Sequence, residues 1–382
     1  MAIDQEERLQ RIDRLAALAR AEGLAGVLLS AESNVDYFAG YRHHAPWTVF
    51  ARPYLLLITV DGKASLIAHS FLAPEVERTA MINDLRTYTR SGSAPVDLIA
   101  ETMADLGVTS GRIGAELGEE QRLGVSWQDF AAIQRAVPQI EFVDVASLIW
   151  RLRRIKSPAE IEILKKAAEI TGRAFEACFE VARPGMSERE IAAIGAEAMV
   201  RNGAERPGFV LIASGAENYT RLSGRPTERV LEPGDMLWID MGLVYEGYWS
   251  DFCRAAVMGQ PSQEQCDKQQ VILDVNQACL EAVRIGEPVK RIAEAVEDRF
   301  KTLGYDVRLG NGRVGHGIGL MSTEPPHVAH YEETIMEDGL AFTIEPRLTS
   351  SAGVFNVEEL VLVTRLGPTL LTTTPRDLTI IR

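Results

Sequence analysis

The chain has 382 residues, of which 46% are hydrophobic and 25% are charged, so it reads as a globular protein long enough for two domains. A formal net charge of −14 argues against a nucleic-acid-binding surface, which needs clustered lysine and arginine. No apolar run approaches the roughly 20 residues of a membrane span, and the acidic start lacks the apolar core of a secretory signal. We therefore expect a cytoplasmic protein with no membrane or nucleic-acid partner.

The first part of the chain predicts a smaller α/β domain. Apolar residues at helical spacing predict a helix over residues 5–22 that ends at Gly23. Two apolar runs joined by Asp61-Gly62 predict a β-hairpin. The alternation of helices and strands continues to about Trp150, after which a basic, strongly polar segment crosses to a second domain. We place the domains at residues 1–152 and 153–382.

The second domain opens with two well-marked helix starts. Ser157-Pro158-Ala159-Glu160 has a serine cap, a proline at the first helical position and a glutamate that closes a capping box. Ser187–Glu190 predicts a second helix start in the same way. Beyond Asp235 the chain is rich in predicted strands, with helices expected around 264–285 and 288–303.

Five side chains of metal-ligand type lie in or beside apolar runs of this strand-rich segment. They are Asp240, Asp251, His316, Glu345 and Glu358. A buried carboxylate without a partner is costly or stays protonated, so a cation should lie among them. The alternative for any single acid is a solvated position at the end of a strand.

The spacing of the acids favours a metal site over that alternative. Asp240 and Asp251 flank a turn predicted at Tyr245-Glu246, which would make them direct cross-strand neighbours, and Glu345 and Glu358 flank a turn at residues 351–353 with the same symmetry. Such neighbours hold their Cβ atoms about 4.5–5.5 Å apart. Two carboxylate pairs and one imidazole can hold two divalent ions about 3.5–4 Å apart. The mostly oxygen ligands favour Mn²⁺, with Zn²⁺, Fe²⁺ and Co²⁺ compatible.

The same residues carry a resemblance that covers the whole chain. The ordered ligand motifs resemble those of the creatinase/prolidase, or "pita-bread", metallohydrolases, and Ser33–Tyr41 and Lys156–Ile161 resemble the N-terminal signature and the inter-domain segment of that family. The motifs are Asp240-Met241-Gly242, Ser250-Asp251, Gly315-His316-Gly317-Ile318-Gly319, Ile344-Glu345-Pro346 and Val357-Glu358. The resemblance implies an α+β fold with an N-terminal creatinase-type α/β domain and a C-terminal pita-bread domain built on a curved antiparallel sheet.

The resemblance also implies a function and an assembly. In the family's hydrolases a metal-activated water attacks the scissile carbonyl while one metal-ligating glutamate moves the proton. By motif, Glu345 matches that glutamate, Asp240 and Glu358 match bridging carboxylates, Asp251 matches a chelating one and His316 the imidazole ligand. We expect a dinuclear hydrolase of the prolidase/Xaa-Pro aminopeptidase type that cleaves an amide C–N bond of a dipeptide or dipeptide-like small molecule.

We also expect a homodimer. In creatinase-like dimers, residues from the region that here includes Arg42–Trp47 and Arg52 reach the partner's active site; the alternative is a surface loop with no such role.

The sequence departs from the family pattern where substrate is bound. Ser223 and Thr323 stand in place of two histidines that, in the peptidases, bind the substrate and stabilise the oxyanion, and losing one oxyanion donor can cost about 2.7–4 kcal/mol. Arg347 replaces a usual glycine, and Asn356 replaces a usual arginine. Arg347 can bind a substrate carboxylate or pair with an acid. His327 can turn towards the metals or remain an exposed loop residue.

Two other classes of function stay open for such a chain. One is a family member with non-peptidase chemistry, such as an enzyme that resembles the dimethylsulfoniopropionate lyases, in which a metal activates a carboxylated substrate for elimination. The other is a non-catalytic binding module. Family members of that kind usually lose metal ligands, whereas all five are present here, which argues against it.

Overall fold

The computed structural model describes residues 3–43 and 51–382 of the chain. These residues form two compact units, Ile3–Arg153 and Arg154–Arg382. Most of the predicted loop at 42–47 therefore lies outside the described residues. No helix among the described residues combines the length and apolar character needed to cross a membrane.

The first unit is a mixed sheet with helices along the chain between its strands. Its helices are α1 (Gln5–Ala21), α2 (Glu32–Ala39), α3 (Ala73–Thr79), α4 (Val96–Asp105), α5 (Trp127–Ala136) and α6 (Ala146–Arg153). Its strands are β1 (Gly26–Leu29), β2 (Leu55–Thr59), β3 (Ala64–His69), β4 (Asp84–Tyr88), β5 (Gly111–Ala115) and β6 (Ile140–Asp144), in the order β4-β3-β2-β1-β5-β6.

Two local predictions for this unit are confirmed. The first helix begins after Asp4, whose carboxylate accepts a hydrogen bond from the backbone amide of Glu7 at 2.9 Å, and it ends one residue earlier than predicted. Strands β2 and β3 pair as an antiparallel hairpin across Asp61-Gly62. Every residue of β1 and β2 is buried, as continuous apolar runs require.

The first two helices of the second unit begin where the serine caps predict. The helices of this unit are α7 (Pro158–Val181), α8 (Glu188–Arg201), α9 (Gln263–Ala282) and α10 (Lys290–Thr302). Complete capping boxes join Ser157 to Glu160 and Ser187 to Glu190, and a third box, which the sequence analysis did not identify, joins Ser262 to Gln265. Each box satisfies backbone donors that a helix start otherwise leaves without partners.

The strands of the second unit form two five-stranded sheets and a short ribbon. They are β7 (Arg206–Ser214), β8 (Met236–Tyr245), β9 (Tyr248–Trp249), β10 (Phe252–Met258), β11 (His316–Gly317), β12 (Glu324–His327), β13 (Ala341–Ile344), β14 (Arg347–Ser350), β15 (Gly353–Asn356), β16 (Glu359–Thr364), β17 (Gly367–Leu370) and β18 (Thr379–Ile381). The sheet orders are β18-β10-β8-β7, with β9 on β8, and β12-β11-β13-β16-β17. Among these described pairs only β10 and β18 run parallel.

The strand β8 separates two hydrophobic cores of this unit. Met236 and Trp238 pack into a core shared with α9, α10 and β13. Ile239 and Met241 pack into another core shared with α7 and α8. Because successive side chains of a strand point to opposite faces, Asp240 extends from the same face as Trp238.

The capping box at the start of α7 gives a first test of these assignments. Replacing Ser157 with Ala removes the hydroxyl that accepts from the Glu160 backbone amide at 3.2 Å, which should cost about 1 kcal/mol of stability. We expect the Tm of the full chain to fall by roughly 2–4 °C. The exposed Glu162→Gln control should leave Tm nearly unchanged, and an equal fall in both variants would contradict the assignment.

Candidate metal centre

Asp240 and Asp251 lie near each other, but not as direct cross-strand neighbours. The partner of Asp240 is Cys253, and Phe252 pairs with Met241. Asp251 is therefore the diagonal neighbour of Asp240, two residues along the same strand face. The predicted pairing was wrong by two residues because the turn is made by Glu246 and Gly247, both with positive φ, rather than by Tyr245 and Glu246.

Glu345 and Glu358 are opposed as the second turn predicted. Ile344 pairs with Glu359 on one side of them, and Arg347 pairs with Asn356 on the other. The same register on both sides places Glu345 opposite Glu358, at the point where β13 and β16 give way to β14 and β15.

His316 enters the cluster from β11. Its Nδ1 lies 3.0 Å from the carbonyl oxygen of Gly317, to which it donates as a neutral imidazole, so the lone pair is on Nε2. That Nε2 lies 3.6 Å from Asp251 Oδ2 and 3.7 Å from Glu345 Oε1. The close approach of the strands requires glycine at position 315, where a Cβ would lie 2.0 Å from the carbonyl oxygen of Thr343.

The five side chains predicted as metal ligands converge in the structure. Ligand atoms of Asp251, His316 and Glu358 all lie within 4.8 Å of one another, and all three residues are buried. Asp240 shares a side-chain hydrogen bond with Asp251, yet its Oδ1 is buried and has no hydrogen-bond partner among the described residues. A buried carboxylate oxygen that accepts no hydrogen bond fits a cation as its partner.

Burial and mutual repulsion control the protonation of this cluster. Burial first, and then the charge of Glu345, raises the pKa of Asp240 to about 7. Burial also raises the pKa of Asp251 and Glu358 well above the usual range, with the neighbouring carboxylates adding to the effect, and it raises the pKa of Glu345. Burial lowers the pKa of His316 to about 4, so the imidazole is neutral at pH 7.

Glu359, next to Glu358, is a buried acid whose negative charge is balanced by protein side chains. Its carboxylate pairs with Arg254 at 3.0 Å and with Arg376 at 3.0 Å, and it also accepts from Thr372. Glu358 has no such ion pair among the described residues; Arg254 reaches only its backbone oxygen, at 2.6 Å. Four acids and one neutral imidazole therefore fit divalent cations bound through oxygen and nitrogen.

The residues predicted to contact substrate differ in where they lie relative to the five metal-ligand side chains. Arg347 begins β14, two residues after Glu345, and Thr323 directly precedes β12. Ser223 is exposed in the loop between β7 and β8, and no hydrogen bond or ion pair between described residues links it to the cluster. His327 is buried and pairs with His316 across β11 and β12, so it is not an exposed loop residue.

Sequence analysis missed Arg313. Its guanidinium charge lowers the pKa of both Asp251 and Glu345, and its Nη1 donates to His327 Nδ1 at 2.9 Å. The only signal in the sequence was a basic residue within a glycine-rich run three residues before His316. His330, by contrast, is paired with Glu297 at 3.2 Å.

Comparisons with known proteins agree with this architecture. Residues 11–155 match the Creatinase/Prolidase N-terminal domain, and residues 162–365, more than half of the chain, match Metallopeptidase family M24. The Xaa-Pro dipeptidase of Pyrococcus furiosus is 34% identical over 239 residues, which cover 62% of this chain and 68% of that protein.

Two solved structures resemble nearly the whole chain. The Xaa-Pro dipeptidase from Bacillus anthracis has a TM-score of 0.86 at 27% identity, over 98% of this chain and 99% of that one. The prolidase from Pyrococcus horikoshii has a TM-score of 0.84 at 27% identity, over 97% and 99% of the two chains. The predicted fold class, with a creatinase-type N-terminal domain and a pita-bread C-terminal domain, is confirmed.

The raised pKa values predict how pH acts on the metal-free protein. A carboxyl whose pKa is raised on folding adds stability at low pH and loses it as pH rises through the folded-state pKa. Stability in EDTA should therefore begin to fall at about pH 4, the usual pKa of free acids, and should still be falling at about pH 7, the pKa of Asp240, because the pKa values of Asp251 and Glu358 are also strongly raised. Burial lowers the pKa of His316, so its contribution to stability increases as pH rises. It is a single group, however, whereas four carboxylates have raised pKa values.

Divalent metal should reverse that trend, because ligands must lose protons to bind. Mn²⁺ at 100 times its Kd should add about 2.7 kcal/mol, measured as a Tm shift that grows with pH. Asp240→Asn should reduce both the pH-dependent loss and the Mn²⁺ shift, whereas the exposed control Asp306→Asn should change neither. A full Mn²⁺ shift in Asp240→Asn would contradict the assignment.

Proposed function

The chain belongs to metallopeptidase family M24, and from that premise we propose that it is a dinuclear hydrolase that cleaves an amide C–N bond of a dipeptide or dipeptide-like small molecule. The observation that carries the proposal is the convergence of the acids on His316: ligand atoms of Asp251, His316 and Glu358 lie within 4.8 Å of one another, and Asp240 Oδ1 has no hydrogen-bond partner among the described residues. Its relatives named as Xaa-Pro dipeptidases support the substrate class.

The metal ligands in this proposal are the five converging side chains. Asp240, Asp251, His316, Glu345 and Glu358 would hold two divalent ions, with Mn²⁺ as the first expectation and Zn²⁺, Fe²⁺ or Co²⁺ compatible. Bound ions of this kind polarise a carbonyl and lower the pKa of water. The hydrogen bond from His316 Nδ1 to Gly317 fixes the ring orientation and directs Nε2 at the carboxylates.

Glu345 is our candidate for moving the proton. Its side chain is 23% exposed, compared with 10% for Asp251 and 6% for His316, so it is more open to substrate than either. It also lies in the two-residue break between β13 and β14, where its backbone amide donates to the Val314 carbonyl at 2.9 Å. A carboxylate in that position can take a proton from water and deliver it to the leaving nitrogen.

Ser223, Thr323, His327 and Arg347 are the proposed substrate contacts. The hydroxyls of Ser223 and Thr323 can each donate one hydrogen bond, but they carry no positive charge, so they should stabilise an oxyanion less well than histidines do. Arg347 offers a planar fork of donors suited to a carboxylate. We therefore propose that the preferred substrate carries its own negative charge.

The proposal includes an assembly and a location. We propose that residues 1–152 and 153–382 are the two domains and that all the metal ligands belong to the second. We also propose that the active protein is a homodimer in the cytoplasm. The resemblance to creatinase-like dimers supports the dimer, and light scattering of the purified protein tests it.

An activity panel tests the proposed function. The Mn²⁺-loaded protein should hydrolyse at least one member of an Xaa-Pro dipeptide panel, and dimethylsulfoniopropionate serves as the probe for elimination chemistry. Glu345→Gln should lower kcat by about 10²–10⁴-fold, whereas the exposed control Glu337→Gln should not. Elimination without amide cleavage would favour the lyase-like alternative, and no metal-dependent turnover of any probe would contradict both.

The two missing histidines give a further prediction. Cleavage of Gly-Pro and Ala-Pro should be slow or absent, and Ser223→His combined with Thr323→His should raise it. The matched control is Thr109→His with Ser110→His, at two exposed positions, and it should have no effect. Wild-type kcat above about 10 s⁻¹ on these dipeptides would show that the two substitutions do not limit the enzyme.

A further inference from the structure

Two arginines stand beside the carboxylate cluster without pairing with any of its acids. Arg347 makes no hydrogen bond or ion pair with the described residues, and the described contact of Arg313 is its hydrogen bond to His327. Both residues are exposed. The buried Arg254 of the same unit, by contrast, pairs with Glu359 at 3.0 Å.

Backbone contacts place Arg313 at the cluster. Val314, the next residue, accepts a hydrogen bond from the Glu345 amide at 2.9 Å and donates its own amide to the Val328 carbonyl at 2.8 Å. Arg313 is therefore held between the strand that leads to Glu345 and the strand that carries His327. The fields of both arginines reach the acids, since Arg313 lowers the pKa of Glu345 and Arg347 does the same.

His327 orients Arg313. An arginine is always a donor, so the 2.9 Å contact requires Nδ1 of His327 to be an acceptor. His327 is buried, and its backbone amide donates to the Glu332 carboxylate at 3.1 Å, which restrains the backbone from which the imidazole extends. A guanidinium restrained before binding loses less entropy when it takes an anion.

We propose that Arg313, oriented by His327, and Arg347 form an arginine rim that binds a carboxylate of the substrate next to the metal-binding residues. The inference rests on the proposed function for the reaction that the rim serves, but the anion site itself rests on the geometry above. In this rim, Arg313 determines specificity and His327 is a positioning residue. Carboxylates suit the rim because a guanidinium can bind them through two parallel hydrogen bonds.

Calorimetry with a carboxylate and its neutral amide tests the rim without needing turnover. The probes are L-proline and L-prolinamide, titrated into the Mn²⁺-loaded full-length protein. Wild type should prefer proline, and Arg313→Met should reduce that preference on the order of tenfold, as expected for the loss of a charged hydrogen bond. Arg347→Met should also reduce it. The control Arg308→Met, an exposed arginine paired with Asp306, should leave it unchanged.

A second pair of variants separates positioning from a merely structural role. His327→Asn keeps an acceptor for Arg313 and should retain most of the preference, whereas His327→Leu removes the acceptor and should lose it. Equal preferences in these two variants would remove His327 from the proposal. If Arg313 only neutralised the acids, Arg313→Lys would match wild type and Arg313→Met would change Mn²⁺ affinity rather than the preference.

Three results overturn the rim: no proline preference in wild type, no binding of either probe, or a preference that survives both Arg313→Met and Arg347→Met. These results are distinct from failure of the proposed function. Dipeptide hydrolysis without a preference for proline over prolinamide would support the proposed hydrolase and contradict the arginine rim. A preference for proline that depends on Arg313, in a protein that hydrolyses none of the dipeptides, would support the arginine rim and contradict the proposed hydrolase.

Discussion

The four carboxylates of the candidate metal centre lie close together in the second unit, where their negative charges repel one another. The stability of this unit therefore depends on how those charges are balanced. Burial raises the pKa of each of them, and no lysine or arginine forms an ion pair with their side chains among the described residues. Retaining four such acids in well-packed strands is costly unless a cation binds them. Metal binding is thus expected to contribute to folding as well as to catalysis.

The two strand pairs show how far spacing alone can predict such a site. For Glu345 and Glu358 the opposition was predicted correctly, because the loop between them is short and symmetric, although the turn has two residues, 351–352, rather than the predicted 351–353. For Asp240 and Asp251 the register was wrong, although Gly247 marked the turn: a glycine following Glu246 suits a two-residue turn with positive φ at both positions. The error was two residues, so both acids stayed on the same strand face.

Other parts of the site depend on contacts that spacing does not predict. His316 and His327 are partners because the register of the ladder between β11 and β12 shifts by two residues between His316 and Gly317. That shift brings Arg313 to His327 and gives both residues a role near the metal ligands. Helix starts, by contrast, were readable from the sequence because a capping box is a local arrangement of four residues.

The two departures from the family pattern at positions 347 and 356 affect neighbouring residues, so we interpret them together. Arg347 and Asn356 are direct partners across β14 and β15. Asn356 is buried, donates to the Pro346 carbonyl at 3.0 Å and accepts from Cys253 at 2.9 Å, so it fills an interior position with a neutral group. The resemblance implies an arginine at position 356, on the buried strand β15, whereas in this chain the arginine of the pair is Arg347, on the more exposed strand β14. In our proposal, the absence of a buried arginine at position 356 leaves the acids more dependent on metal, and the exposed Arg347 is available to an anionic substrate.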